Sequence, residues 1–116
     1  MTIFGETEEF SKEFARLLKK WRDLEDDLAV LKRVLAVAPR GHEPSVARIS
    51  SLGIKTEIYK VKHFRCSAMK GKGARSGIRI VYAFLPEKQK IEFIEIYYKE
   101  KDDRDCDKER IRKYCK

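Results

Sequence analysis

The chain has 116 residues, a formal net charge of +8, and hydrophobic and charged shares of 42% and 40%. This length predicts one domain, residues 1–116, with one modest core, and the hydrophobic share excludes a disordered chain. No apolar run approaches the roughly 20 residues of a membrane span, so we expect no membrane partner. The three cysteines are widely spaced and form no CxxC pair, which indicates a reducing, cytoplasmic setting rather than a disulfide framework.

Most of the basic excess falls in one quarter of the chain. Residues 57–86 hold seven basic side chains and one acidic side chain, which is +6 of the total of +8. A general basic excess often serves only solubility, and that alternative stays open. A concentrated excess favours an anionic partner, because each phosphate that it neutralises releases counterions. Going by charge, we expect this surface to face phosphates, and RNA is the polyanion that it favours.

The amino-terminal third predicts a short strand, Thr2 to Phe4, followed by two helices from Glu6 onward. Apolar stripes at helical spacing hold first Phe10, Phe14, Leu17, Leu18 and Trp21, then Leu24, Leu28, Leu31 and Leu35, widened by Val30, Val34 and Val37. Asp23 suits the N-cap of a second helix, so we predict a helical hairpin. A single helix of about 30 residues, a coiled-coil arm about 45 Å long, is the alternative.

Beyond the helices the chain turns to strands. Pro39 ends the second helix and opens a loop through Pro44, and a helical turn is predicted within Ser45 to Leu52. Period-two patterns then predict three strands, at Ile58–Cys66, Ile78–Phe84 and Ile91–Tyr98. In the last strand we expect one face to be shared by Ile91, Phe93, Glu95 and Tyr97.

The stretch from Asp102 to the carboxyl terminus is dense in charge. Its residues Ile111, Tyr114 and Cys115 are spaced as on one helix face, which indicates a short terminal helix touching the sheet. A solvated tail is the alternative.

Two lysines on the first long strand form the strongest candidate site. Lys60 and Lys62 lie two residues apart, so they share a face at a separation of roughly 6.5–7 Å, opposite to Tyr59 and Val61. Arg79 joins them if its strand is an antiparallel neighbour. Lysine suits charge stabilisation or proton transfer, and arginine grips a phosphate or a developing oxyanion. A solvated sheet face is the alternative.

The glycine-rich turn between the basic strands gives a weaker signal. Lys70-Gly71-Lys72-Gly73 can cradle a phosphate through backbone N–H groups, but its spacing does not match a Walker A motif. A flexible connection is the alternative. Lys70 and Lys72, with Arg65 and Arg75, are predicted to position RNA.

The sequence predicts neither a metal site nor a carboxylate pair. His63 and Cys66 form one potential metal-binding pair without a convincing second pair. Glu92 and Glu95 are expected on opposite faces of their strand, which does not suit paired carboxylate catalysis. We therefore expect no metal and no cofactor.

Essentially the whole chain resembles the RelE/ParE superfamily of toxins from toxin–antitoxin modules. The motifs that match, after two amphipathic helices, are Tyr59-Lys60-Val61-Lys62, Gly77-Ile78-Arg79-Ile80-Val81-Tyr82 and Phe93-Ile94-Glu95-Ile96-Tyr97-Tyr98-Lys99. The resemblance implies an α+β fold in which two N-terminal helices pack on a small, mostly antiparallel sheet, followed by a short C-terminal helix.

For function, the resemblance to the RelE branch implies a toxin that cleaves messenger RNA in the ribosomal A site without a metal. The ribose 2′-OH attacks the adjacent phosphate in that reaction. Lys60 or Lys62 would help to remove the 2′-OH proton, and Arg79 would stabilise the developing charge. The implied partners are messenger RNA, the ribosome and a cognate antitoxin, with which the chain would form an oligomer.

The tract after the last strand departs from the family pattern. Members commonly carry an arginine and a tyrosine there for leaving-group protonation and base stacking, whereas this chain has Lys99-Glu100-Lys101-Asp102-Asp103. Tyr97, Tyr98 or Lys99 would have to substitute, and we take Tyr98 and Lys99 as candidates. The departure keeps two alternatives open: a non-enzymatic, ParE-like topoisomerase inhibitor, and a basic RNA-binding module that has lost catalysis.

Overall fold

The structure, a computed structural model, describes residues 2–50, 52–69, 76–99 and 106–115. In these residues the chain forms one five-stranded sheet, three α-helices and a short 3₁₀ turn. The elements in order are β1 (Ile3–Glu6), α1 (Glu8–Lys20), α2 (Leu24–Val37), β2 (Val46–Arg48), β3 (Glu57–Val61), β4 (Ile78–Leu85), the 3₁₀ turn (Pro86–Lys88), β5 (Lys90–Tyr98) and α3 (Lys108–Tyr114).

The sheet has the strand order β1-β5-β4-β3-β2. β1 runs parallel to β5, and the other three neighbouring pairs are antiparallel. The α+β architecture and the mostly antiparallel sheet predicted from the sequence are therefore confirmed. Thr7 joins sheet and helix, because its N–H donates to the Phe93 carbonyl (2.9 Å) while its hydroxyl caps α1 by accepting from the Phe10 N–H (3.1 Å).

The two amino-terminal helices form the predicted hairpin, and the single coiled-coil arm is wrong. Helix α1 ends at Lys20, and Trp21 leaves helical geometry with φ −126° and ψ 92°. Helix α2 begins after Asp23, whose side chain makes no capping hydrogen bond. Burial of Trp21 and Leu24 on either side of the break holds both helices against the sheet.

The sheet separates two apolar layers. The larger layer packs α1 and α2 on one face through Phe10, Leu17, Leu24, Leu28 and Leu35. The smaller layer lies on the other face, where α3 inserts Ile111, fully buried, against Ile58, Val81, Ala83, Ile94 and Tyr97. The terminal helix is thus confirmed over Lys108–Tyr114, and the solvated tail is wrong for those residues. No helix in the described part combines the length and apolarity that crossing a membrane requires.

Two elements differ from their predicted form. The helical turn predicted within Ser45–Leu52 is wrong, because Val46–Arg48 forms an edge strand whose Val46 lies opposite Val61. The strand predicted at Ile58–Cys66 ends at Val61. Beyond it the Lys62 N–H donates to the Ser45 carbonyl (2.7 Å), and the chain continues without strand pairing.

The predicted face assignment in β5 is wrong beyond Phe93. Val81 lies opposite Glu95 but Tyr82 lies opposite Phe93, so the β4–β5 pair contains a bulge at Ile94. One extra residue reverses the alternation. Phe93 therefore packs under the helical hairpin, whereas Tyr97 packs under α3.

Candidate functional site

Strand alternation in β3 determines where the candidate lysines lie. Tyr59 and Val61 are buried under the helical hairpin, so Lys60 points to the opposite face, where it lies across from Val81. Lys60 and Lys62 line one shallow cavity of about 330 Å³. The shared face that the sequence predicted is therefore present, although Lys62 lies one residue beyond the strand.

One more cation completes this cavity: Lys108, the first residue of α3. Arg48 of edge strand β2 is also a lining residue, but it lies opposite Tyr59, so its side chain points to the hairpin face, near Glu57. None of the described lining residues is acidic. We call this feature the basic cavity, defined by Lys60, Lys62 and Lys108. A concave site with three lysines suits an anion with several oxygens, such as a phosphate.

Arg79 lies on the same sheet face as the basic cavity. It is half-buried on β4 opposite Tyr97, and its strand is the antiparallel neighbour of β3, as the candidate site requires. Arg79 is two residues along β4 from Val81, the partner of Lys60, which is a separation of roughly 7 Å. It is not among the described residues that line the cavity, so it borders the site rather than forming its wall.

The structure separates Tyr98 from these groups. Tyr98 packs edge-to-face on Trp21, with the ring centroids 5.0 Å apart, and the Lys20 ammonium lies 5.8 Å from the Tyr98 ring. It therefore lies on the hairpin face, across the sheet from Lys60. Lys99 is exposed, and its N–H donates to the Gly77 carbonyl (2.9 Å). The bulge that turns Tyr98 away brings Tyr97, fully buried, to the cavity side instead.

The residues predicted to position RNA are only partly accounted for. Arg65 is exposed and lines a different groove, beside α2 on the hairpin face. Lys70, Lys72 and Arg75 lie outside the described residues. The structure thus brings Lys60, Lys62 and Arg79 to one face, and places Arg65 and Tyr98 elsewhere.

Sequence reasoning missed Lys108. This residue lies in a charge-dense stretch with no local signal that separates it from its neighbours. Only the docking of α3 on the sheet brings it to the cavity.

A second polar cluster lies on the opposite face and holds the loop after α2. Arg40 donates to both carboxylate oxygens of Glu57 (2.8 and 3.1 Å), and the Tyr59 hydroxyl donates to the same carboxylate (2.6 Å). The hydrogen bond from Arg40 is the main cause that holds the pKa of Glu57 below its ordinary value. Burial raises the pKa of Tyr59. We assign this cluster to the stability of the fold rather than to the candidate site, because it lies on the opposite face of the sheet from the basic cavity.

The described residues contain no group of three histidine, cysteine, aspartate or glutamate side chains that could hold a metal ion. Burial raises the pKa values of the Cys66 and Cys115 thiols, so both stay protonated near neutral pH. Glu95 is fully buried, and its carboxylate accepts from the Asp107 N–H (2.9 Å) at the start of α3. That carboxylate therefore anchors a helix.

Comparison with known proteins rests on structure. No protein-family model matches the chain, and no curated protein matches it in sequence. A metal-bound toxin from Helicobacter pylori matches with a TM-score of 0.59 and 13% identity, over 87% of this chain and 98% of that chain. An E. coli RelE toxin with two arginines replaced, in the free state, matches with a TM-score of 0.53 and 20% identity, over 88% of this chain and 87% of that chain.

The chain has a RelE-like fold. At these identities the likeness concerns the fold, since one fold hosts many functions. Within this RelE-like fold, the basic cavity lies where β2, β3 and α3 meet. That cavity is therefore the candidate site.

Proposed function

We propose that this chain is the toxin of a toxin–antitoxin pair and a metal-independent, ribosome-dependent endoribonuclease that cleaves messenger RNA in the cytoplasm. The observation that carries the proposal is the basic cavity, in which Lys60, Lys62 and Lys108 lie on one face of a RelE-like sheet. Arg79 borders it on the same face. Such an arrangement suits an RNA phosphate and the additional negative charge that develops on it during cleavage.

The cations of this face match the needs of cleavage by the ribose 2′-OH. The 2′-oxygen forms a bond to phosphorus while the bond from phosphorus to the 5′-oxygen breaks, which leaves a 2′,3′-cyclic phosphate and a 5′-hydroxyl. Lys60 or Lys62 takes the 2′-OH proton, and an ammonium of the same cavity supplies a proton to the departing 5′-oxygen. Arg79 stabilises the charge on the phosphoryl oxygens. Lys99, exposed at the end of β5, is a further candidate for contact with RNA.

Controlled expression tests this proposal in cells. We expect induction to arrest growth and to produce new transcript 5′ ends clustered at particular codon positions. Lys60→Ala combined with Lys62→Ala should abolish both effects, whereas Lys55→Ala, an exposed lysine outside the cavity, should preserve them. Growth arrest without new transcript 5′ ends would contradict the proposed nuclease activity.

A second candidate is a protein that binds without cleaving: a ParE-like topoisomerase inhibitor or a basic RNA-binding module. The placement of Tyr98 favours it, because that ring packs on Trp21 across the sheet from the basic cavity and so cannot act there. DNA supercoiling measured during the same induction separates the alternatives. Altered supercoiling with intact transcripts would support the topoisomerase inhibitor. An induction that changes neither supercoiling nor transcripts would support the binding module.

A further inference from the structure

The departing 5′-oxygen of the proposed cleavage needs a proton donor, and the end of β5 does not place one in the basic cavity. Tyr98 packs on Trp21 across the sheet from Lys60. Lys99 is exposed at the end of β5, and it is not among the described residues that line the cavity. Arg79 borders the cavity, but a guanidinium holds its proton too firmly to be an efficient acid. The donor must therefore come from another element.

Lys108 reaches the cavity from the layer that lies over the sheet. Lys60 and Lys62 belong to β3 and the residue after it, and they line the cavity from the sheet. Lys108 is the first residue of α3, and this helix packs on the same sheet face through Ile111, which is fully buried. An anion that enters the cavity therefore meets lysines of two separate elements.

The neighbours of Lys108 along the chain fix where it lies. The Asp107 N–H donates to the fully buried carboxylate of Glu95 (2.9 Å). Two residues after Lys108, Arg110 donates to both carboxylate oxygens of Glu13 (3.0 and 2.6 Å). The chain is thus anchored on both sides of Lys108, while Lys108 itself is exposed. A group that its neighbours hold in place in this way is preorganised for a reaction.

We propose that Lys108 is a catalytic residue that donates a proton to the departing 5′-oxygen, an inference that rests on the proposed function. In an in-line displacement the attacking and departing oxygens lie on opposite sides of the phosphorus atom. Lys60 and Lys62 are two residues apart and share a face, so they approach a bound phosphate from the sheet. Lys108 approaches it from α3. The two ends of the reaction are thereby served by different elements.

The step balances with Lys108 as the acid. The bond from the 2′-oxygen to phosphorus forms, and the 2′-OH proton passes to the amine of Lys60 or Lys62. The bond from phosphorus to the 5′-oxygen breaks, and the electron pair left on that oxygen takes a proton from the Lys108 ammonium. Lys108 is left as a neutral amine and the other lysine as an ammonium, so exchange of protons with water restores both.

A message with sulfur in place of the departing oxygen tests the proposal. The wild type first maps the cut linkage on ribosomes programmed with a defined message, and a second message then carries a 5′-bridging phosphorothiolate at that linkage. A thiolate is a far weaker base than an alkoxide, so it departs without a proton. Lys108→Ala should lower the single-turnover rate about 100-fold on the ordinary message, but less than about threefold on the phosphorothiolate message.

Further variants separate the role of the proton from those of charge and fold. Lys108→Arg keeps the positive charge but gives up its proton poorly, so it should show the same selective loss as Lys108→Ala. Lys60→Ala combined with Lys62→Ala should slow cleavage of both messages alike, since neither lysine acts on the departing atom. Lys113→Ala, a matched change of an exposed lysine in the last turn of α3, should alter neither rate by more than about twofold.

Three outcomes would overturn the proposal while the nuclease stands. Lys108→Ala could cut the ordinary message at the wild-type rate. It could lose equally on both messages, which would show contact with the phosphate rather than donation of a proton. Cys106→Ala could show the selective loss in its place, which would assign the proton to that thiol, another residue that lines the cavity. A wild type that cuts neither message would contradict the nuclease itself, and the role of Lys108 with it.

Discussion

Side chains along β3 alternate between the two faces of the sheet, so neighbouring residues have different roles. Glu57 and Tyr59 lie on the hairpin face, where Arg40 joins them in a hydrogen-bonded cluster. Lys60, one residue further along, lies on the cavity face. Because a shift of one residue would exchange the two faces, the pairing of β3 with β4 determines both the polar cluster and the candidate site.

The Glu57 cluster should make stability depend on pH. The hydrogen bond from Arg40 holds the pKa of Glu57 below its ordinary value of 4.5. A carboxylate with a lowered folded-state pKa stabilises the protein above its unfolded pKa, and this contribution is lost as the pH falls through the folded pKa. We expect Glu57→Gln to lower the free energy of unfolding by less than about 1 kcal/mol near neutral pH, since Arg40 is largely exposed.

Urea unfolding across the acidic range measures this effect. The difference in unfolding free energy between the wild type and Glu57→Gln should be constant near neutral pH, should narrow as the pH falls below the ordinary pKa of 4.5, and should close once the pH is below the lowered folded-state pKa. Glu87→Gln, an exposed glutamate in the 3₁₀ turn, should show no such gap. A gap that widens on acidification would contradict the assignment.

At this scale the sequence predicts some site residues and hides others. Lys60, Lys62 and Arg79 follow from period-two alternation and one assumption about strand pairing, which the structure confirms. Lys108 could not be predicted, because its approach to Lys60 and Lys62 depends on tertiary packing rather than on local spacing.

Among the elements, α3 depends most on its contacts. It has seven residues, too few for a stable isolated helix. The Asp107 side chain caps it by accepting from the Arg110 N–H (3.0 Å), and Arg110 donates to both carboxylate oxygens of Glu13 on α1 (3.0 and 2.6 Å). Arg110 also donates to the Ile94 carbonyl. These contacts hold Lys108 at the basic cavity.

Arg110→Met should therefore destabilise the protein and loosen α3. The substitution leaves the partly buried Glu13 carboxylate without its cation, so we expect a loss of about 1–3 kcal/mol in the free energy of unfolding. Hydrogen exchange in Lys108–Tyr114 should accelerate more than exchange in the sheet. Lys113→Met, an exposed residue in the last turn of α3, serves as the matched control. Equal behaviour of the two variants would show that Arg110 does not anchor the helix.

Elements with a strong periodic pattern of apolar residues can be predicted from the sequence, whereas elements that are defined by strand pairing cannot. The two amphipathic helices and β4 follow from their apolar patterns. Edge strand β2 has three residues, and only its pairing with β3 distinguishes it from a helical turn. The bulge at Ile94 has no distinct signal in Ile91–Tyr98, a run of apolar residues with only two glutamates, yet it decides which tyrosine reaches the cavity side.

For the whole molecule, the sheet divides two different surfaces. The basic cavity lies on the α3 face, and an apolar groove lined by Leu31, Leu35 and Phe64 lies beside α2 on the hairpin face. The lysines of the cavity suit phosphates, and the net charge of +8 favours an anionic partner. The proposal of a nuclease therefore rests on the α3 face of the sheet.

Cleavage by the purified chain on ribosomes programmed with a defined messenger RNA tests the central claim most directly. We expect the wild type to cut the message in the A-site codon, leaving a 5′-hydroxyl, only when ribosomes are present. Lys60→Ala combined with Lys62→Ala should lower the single-turnover rate by about 100-fold or more, while Lys55→Ala leaves it unchanged. Undiminished cleavage by the double variant, or an intact message with the wild type, would contradict the account.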